Sequence, residues 1–118
     1  MVLREDKMTA RYEIEWATNS IRHFHLKAPN GEIIMHSEGY KTLAACENGI
    51  GSCREHAPYD RFFTRAETPG GHPFFYLRAA NNRIIGQSQV YASVKAREAG
   101  IEAIKRYASE AELFDLTK

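Results

Sequence analysis

The side chains best placed for chemistry are a histidine pair and a few aromatic and basic residues. His23 and His25 lie two apart, the spacing that puts two imidazoles on one face of a strand. Such a pair can ligate zinc or copper when a third donor joins it, and His36 is in reach if it occupies the neighbouring strand. Lys27 follows on the same strand face, and Phe74, Tyr76 and Arg78 occupy the matching stretch later in the chain. Aromatics interleaved with basic residues on an open sheet face resemble the stacking platforms of single-strand nucleic-acid binders.

Each chemical reading meets a plainer one. A lone His-x-His is a weak motif, and an ordinary half-covered sheet face accounts for it as well. The chain has 16 basic and 15 acidic residues, net charge +1, which argues against holding nucleic acid by bulk charge. Cys46 and Cys53 are seven apart. On one helix that is about 10.5 Å, too far to bridge, so both read as buried thiols. No hydrolase elbow, phosphate-cradling loop, HExxH or CxxC spacing occurs, so no catalytic residue, metal or cofactor is expected.

The elements that must position these residues come from periodicity. Tyr12, Ile14 and Trp16 alternate with Glu13 and Glu15, as in a half-buried strand. A strand over 22–28 puts Phe24, Leu26 and Ala28 on one face and His23, His25 and Lys27 on the other. Pro29-Asn30-Gly31 predicts a tight type I′ hairpin, and a strand follows over 32–37. Thr42 is a candidate N-cap. Leu43, Cys46, Ile50, Cys53 and Ala57 make a helical stripe, ended by Pro58.

The same order then recurs. The stretch from Leu26 to Ala57 reappears from Leu77 to Ala108 at an offset of 51 residues without a gap. Repetition of this kind means that one supersecondary unit was used twice. The second copy predicts strands over 59–66, 72–79 and 83–88, with Phe75 and Leu77 facing the core. Ser93 is its N-cap, and Val94, Ile101, Ile104 and Ala108 form its stripe, with Arg97 at the position of Cys46. Residues 112–116 align with 61–65, so the chain should end in a strand, and the strand after the first helix should close unit one while opening unit two. Gly49 and Gly100 fall mid-helix, where glycine costs about 1 kcal/mol against alanine. Finding it twice implies a packing reason. Tyr40 and Tyr91 precede the caps and read as staples onto the first helical turn. Lys95, Lys105 and Arg106 with Glu98 and Glu102 read as a solvated helix face.

The run from Phe24 to Tyr40 (F-x-L-K-A-x-N-G-E-I-I-x-x-S-E-G-Y), followed by Asn48-Gly49-Ile50, resembles the YegP-like family of small proteins carrying a domain of unknown function. The second copy runs from Phe75 to Tyr91, with Ala99-Gly100-Ile101, and departs from the pattern at Asn82, Arg83, Gln89 and Val90. The resemblance covers the chain from about Tyr12 onward. It implies tandem β-β-β-α-β units, or a dimer of single ones, joined in one sheet with exchanged terminal strands. It implies no established activity and no catalytic residues.

The expected fold is therefore α+β: two tandem β-β-β-α(-β) repeats, about 11–58 and 59–118, making one mainly antiparallel sheet with two helices packed on one face. A flexible tail is expected over residues 1–10. At 118 residues the chain suits one domain. The charged start and the absence of a long apolar run point to the cytoplasm and away from membranes. The expected role is a non-enzymatic interaction module, meeting a protein partner or a second copy of itself through a sheet face or edge. The alternatives are a single-strand nucleic-acid binder and a weak metal binder. The candidate surface is His23, His25, Lys27, Phe74, Tyr76 and Arg78.

Overall fold

In the computed structural model, which describes residues 9–118, seven strands form one sheet and both helices lie against one face of it. The first half supplies β1 (Arg11–Trp16), β2 (Arg22–Lys27), β3 (Ile33–Ser37) and α1 (Leu43–His56). The second supplies β4 (Phe63–Glu67), β5 (Pro73–Arg78), β6 (Ile84–Gln87), α2 (Val94–Tyr107) and β7 (Glu112–Asp115). Strand alternation works as expected: Tyr12, Ile14, Phe24, Leu26, Phe75 and Leu77 are wholly buried under the helices. Cys46, Ile50 and Cys53 meet them from α1, and Ile101 and Ile104 from α2. Full burial of one such side chain is worth about 1.5–3 kcal/mol, so the core is shared rather than divided between halves.

Local chemistry repeats as closely as the sequence. Thr42 Oγ1 accepts from Ala45 N at 3.0 Å and Ser93 Oγ from Ala96 N at 3.1 Å, capping the helices. Ser37 Oγ accepts from Phe24 N at 2.9 Å and donates to Glu38 O; Ser88 does the same between Phe75 N and Gln89 O. The hairpin turns differ from expectation. Gly31 N–H donates to Ala28 O, and among the turn residues only Gly31 has a positive φ, +88°. A type I′ turn needs two such residues; this is a turn followed by one left-handed residue. Asn82 takes that position in the second copy at φ 72°, which asparagine tolerates better than most.

The strand order is β4-β5-β6-β3-β2-β1-β7. The halves join antiparallel at His36↔Gln87 and Ser37↔Gly86. Close approach at this seam demands glycine: a Cβ on Gly86 would lie 2.9 Å from His36 O and from Met35 Sδ. Met35 is the counterpart of Gly86 in the repeat, so one bulky and one empty position interlock across the junction.

One expectation fails. β4 does not close the first half. Among the described residues it pairs only with β5, from Phe63↔Leu77 to Glu67↔Pro73. The strand that closes the first half is β7, parallel to β1 from Arg11↔Glu112 to Ile14↔Asp115. The edges of β1 and β5 lie on opposite sides of the sheet, so one strand cannot serve both. Each helix instead delivers the strand after it to the other half, the exchange that the family resemblance implies. β4 also starts later than expected, because Asp60–Phe62 form a 3-10 turn held by Phe62 N–H on Tyr59 O and by the Phe62 ring edge-on to His56 at 4.6 Å.

The face of α2 expected to be merely solvated is fastened to that turn. Lys105 Nζ lies 2.7 Å from Asp60, and Arg65 bridges Asp60 and Glu98 at 3.0 and 2.9 Å. Hydrogen bonds from Arg65 and Lys105 hold the Asp60 carboxyl down to about 2. Arg97, which replaces a buried cysteine of the first copy, stays buried by bonding Glu98 and the Ala66 carbonyl. Of the expected tail, residues 1–8 lie outside the described residues, while Ala10 is buried and its carbonyl accepts from Glu112 N. Among the described residues no helix is long and apolar enough to cross a membrane.

Candidate functional site

With both helices on one face, the other is left uncovered among the described residues, and cross-strand pairing fixes what it displays. Directly paired residues share a face. The pairs Glu13↔Phe114, Glu13↔His25, His25↔His36, His36↔Gln87, Tyr76↔Gln87 and Thr64↔Tyr76 therefore make one row across all seven strands. His23 and Lys27 flank the row on β2, and Phe74 and Arg78 flank it on β5. All six residues singled out from sequence thus share this face, in two patches of three separated by β3 and β6.

The first patch is ionic. Glu13 is only 5% exposed, yet it accepts from His25 Nε2 at 2.8 Å, Lys27 Nζ at 3.0 Å and Arg11 Nη1 at 3.3 Å. Burial works to raise its carboxyl, but the hydrogen bonds from His25 and Lys27 outweigh burial and hold it below the usual range. An ionised carboxylate only accepts, so His25 Nε2 carries a proton, and Nδ1 is the ring atom turned toward Glu15. That Nδ1 stands 3.7 Å from Glu15 Oε1, and His23 Nε2 stands 3.8 Å from the same oxygen. Glu13, Glu15 and His25 offer ligand atoms within 4.8 Å of one another. His36 stands apart; burial, then His23 and His25 nearby, lower its pKa.

The second patch is aromatic. The Phe74 and Tyr76 rings meet edge to face at 5.2 Å, Phe74 only 9% exposed. Arg78 lies over Tyr76 at 5.5 Å and donates to Thr64 Oγ1 and Asn82 O, both at 3.2 Å. The cations of this face are thus engaged within the protein: Lys27 and Arg11 with Glu13, Arg78 with the turn. Glu13 and Glu15 are the site residues that motif reading missed. Strand alternation had already placed them opposite Tyr12 and Ile14; what it could not supply was the β1–β2 register that brings them to His25. The two cysteines are free and buried, and burial pushes the Cys46 thiol up to about 11 and the Cys53 thiol up to about 12.

Comparison with known proteins bears on this arrangement. The model of a domain of unknown function (DUF1508) matches twice, over residues 18–63 and 70–115. A UPF0339 protein of Acinetobacter baylyi is 44% identical over 110 residues, covering 93% of this chain and 99% of its own. The UPF0339 protein YegP of Yersinia pestis is 39% identical, covering 90% of this chain and 95% of its own. This chain belongs to the YegP-like, or UPF0339, family. Solution structures of two members share the YegP-like fold described above. The Shewanella oneidensis protein superposes with a TM-score of 0.86 at 36% identity, covering 92% of each chain. The Escherichia coli yegP protein, described as of unknown function, gives 0.87 at 35%, covering 92% of this chain and 94% of its own. The two family matches follow one another along the chain at nearly the 51-residue offset of the repeat.

Proposed function

We propose that this YegP-like chain is a non-enzymatic binding module of the cytoplasm that engages a partner protein through the helix-free face of its sheet. The supporting observation is an asymmetry between the repeats. Core positions recur: Phe24 with Phe75, Leu26 with Leu77, Ser37 with Ser88. Open-face positions do not: Glu13, Glu15, His23, His25 and His36 correspond to Thr64, Ala66, Phe74, Tyr76 and Gln87. A hydrogen-bonded ionic patch therefore adjoins an aromatic one, meeting at His36 and Gln87. Interfaces favour aromatic anchors beside a polar rim. Single-stranded nucleic acid fits less well, because the cations a phosphate would need already have partners. The two repeats, 11–58 and 59–118, act in this reading as one folding unit, and unbridged thiols suit a reducing compartment.

The test is capture of a partner from the source cell by wild type, by Phe74→Ser/Tyr76→Ser, and by the milder His36→Ala at an exposed position. A specific partner is expected to bind wild type and to be lost from the double variant and weakened with His36→Ala, both variants keeping the native circular dichroism. Undiminished capture by both rejects the face. Binding to single-stranded oligonucleotides that weakens steeply with salt would replace the protein partner with nucleic acid.

A second reading rests on the histidine geometry. Ligand atoms on one zinc stand roughly 3.4 Å apart, close to the 3.7 Å that separates Glu15 from His25, and Glu13 completes a set of ligand atoms within 4.8 Å of one another. Calorimetry of untagged protein with zinc should give one site, weakened roughly ten-fold or more in Glu15→Ala. No heat of binding, or equal affinity in the variant, removes this reading.

A further inference from the structure

The repeat builds the same nook twice and finishes it differently. Tyr40 lies against Gly49 of α1, and Tyr91 against Gly100 of α2. The tyrosine of the second nook is sealed: its hydroxyl is buried, which raises its pKa, and the Gln89 side chain lies beside it. The first opens into a cleft of about 350 Å³ between α1 and the β5–β6 hairpin of the other half. Its polar lining is Tyr40, Asn48, Ser52, Asn81 and Arg83, with Ile84 and Ile85 at the base.

The offset shows what changed. Asn48, Ser52 and Arg83 stand where the sealed nook has Ala99, Ala103 and Glu32. Three donors thus replace two methyl groups and a carboxylate. Arg83 is exposed, and its guanidinium makes no hydrogen bond or ion pair among the described residues; its backbone is engaged, the N–H donating to Asn81 Oδ1 and the carbonyl accepting from Ala79 N. Tyr40 Oη and the Asn48 amide likewise have no hydrogen-bond partner among the described residues. His56 holds the cleft's far end in place, with Nδ1 on Ser52 O at 2.8 Å and Nε2 accepting from Ala80 N at 3.1 Å.

We propose that this cleft is a binding site for a small organic anion, a carboxylate or phosphate monoester whose charged end meets Arg83 and Tyr40 and whose apolar body lies on Ile84 and Ile85. The volume lies within the range of small-ligand pockets, and a free guanidinium is suited to a planar oxyanion. Neither the open-face reading nor the zinc reading is needed for this site.

The test is amide NMR titration of the full chain with phenyl phosphate, benzoate and inorganic phosphate. Saturable shifts are expected at Asn48, Ser52 and Arg83 with phenyl phosphate or benzoate, and the stronger binder of the two identifies the anion. Arg83→Glu should weaken binding roughly ten-fold or more, the loss expected for one charged hydrogen bond. Glu32→Arg, in the sealed nook, should leave affinity unchanged. Arg83 is exposed on a hairpin, so its variant is expected to keep the wild-type spectrum elsewhere. Absent or non-saturating shifts, inorganic phosphate alone binding, or equal affinity in Arg83→Glu each overturn the proposal.

Discussion

A fragment ending at Pro58 stays unfolded. It contains a whole repeat by sequence, with three strands, a capped helix and the stripe Cys46, Ile50, Cys53. The architecture denies it completion on both sides. The outer edge of β1 is covered by β7, which belongs to the other repeat. α1 contacts β5 and β6 as well as its own β2, so the fragment would expose much of the face it buries. A unit of about 50 residues is marginal even with its core intact, and removing part of that core leaves nothing to offset chain entropy. Residues 11–58 at low micromolar concentration should show coil-like circular dichroism and no cooperative urea transition. Adding 59–118 should restore both. Cooperative unfolding of a monomeric 11–58 fragment would show that the halves are independent and that strand exchange is incidental.

The same exchange marks how far the sequence could be read. Periodicity found both helices and the strands up to β6, because alternation and the helical stripe are local properties of Tyr12 to Trp16 or Leu43 to Ala57, and the repeat offset added β7. It also assigned His23, His25, Phe74 and Tyr76 to the face away from the core. It missed the partner of β7. An offset of 51 residues equates segments but does not say which edge each will cover. The hairpin at Asn30-Gly31 was placed correctly and typed wrongly, since one positive φ satisfies the loop where two were assumed. The cleft beside Tyr40 escaped notice for a physical reason: Asn48 and Arg83 belong to different repeats and meet only because α1 crosses to the other half's hairpin. Sequence comparison of the copies did flag Arg83 as a departure from the repeat.

The glycines that recur mid-helix lead to the second large expected effect. Replacing an ordinary helical glycine with alanine stabilises by about 1 kcal/mol. Gly51 is such a position, since a Cβ there would meet nothing within 4 Å, and Gly51→Ala should raise stability. Gly49 and Gly100 should do the reverse. A Cβ on either would lie 2.7 Å from the Cζ of Tyr40 or Tyr91, and 3.2 or 3.4 Å from Phe24 or Phe75. Each tyrosine ring is stacked on that phenylalanine, with centroids 6.3 Å apart and planes 12° or 11° from parallel. The ring is therefore held between helix and sheet. Overpacking of this kind costs about 1–3 kcal/mol, which exceeds the gain in helix propensity. The two sites should not be equal. Tyr40 borders the open cleft and can tilt into it, whereas the Tyr91 hydroxyl is enclosed. Urea melts should rank the variants Gly51→Ala above wild type, Gly49→Ala below it and Gly100→Ala lowest, the last by about 2 kcal/mol. Combining Gly100→Ala with Tyr91→Phe should recover part of the loss, because the phenylalanine lacks the oxygen that abuts the helix. Strict additivity in that pair, or a stabilising Gly100→Ala, would mean the tyrosine is not what keeps glycine in the helix.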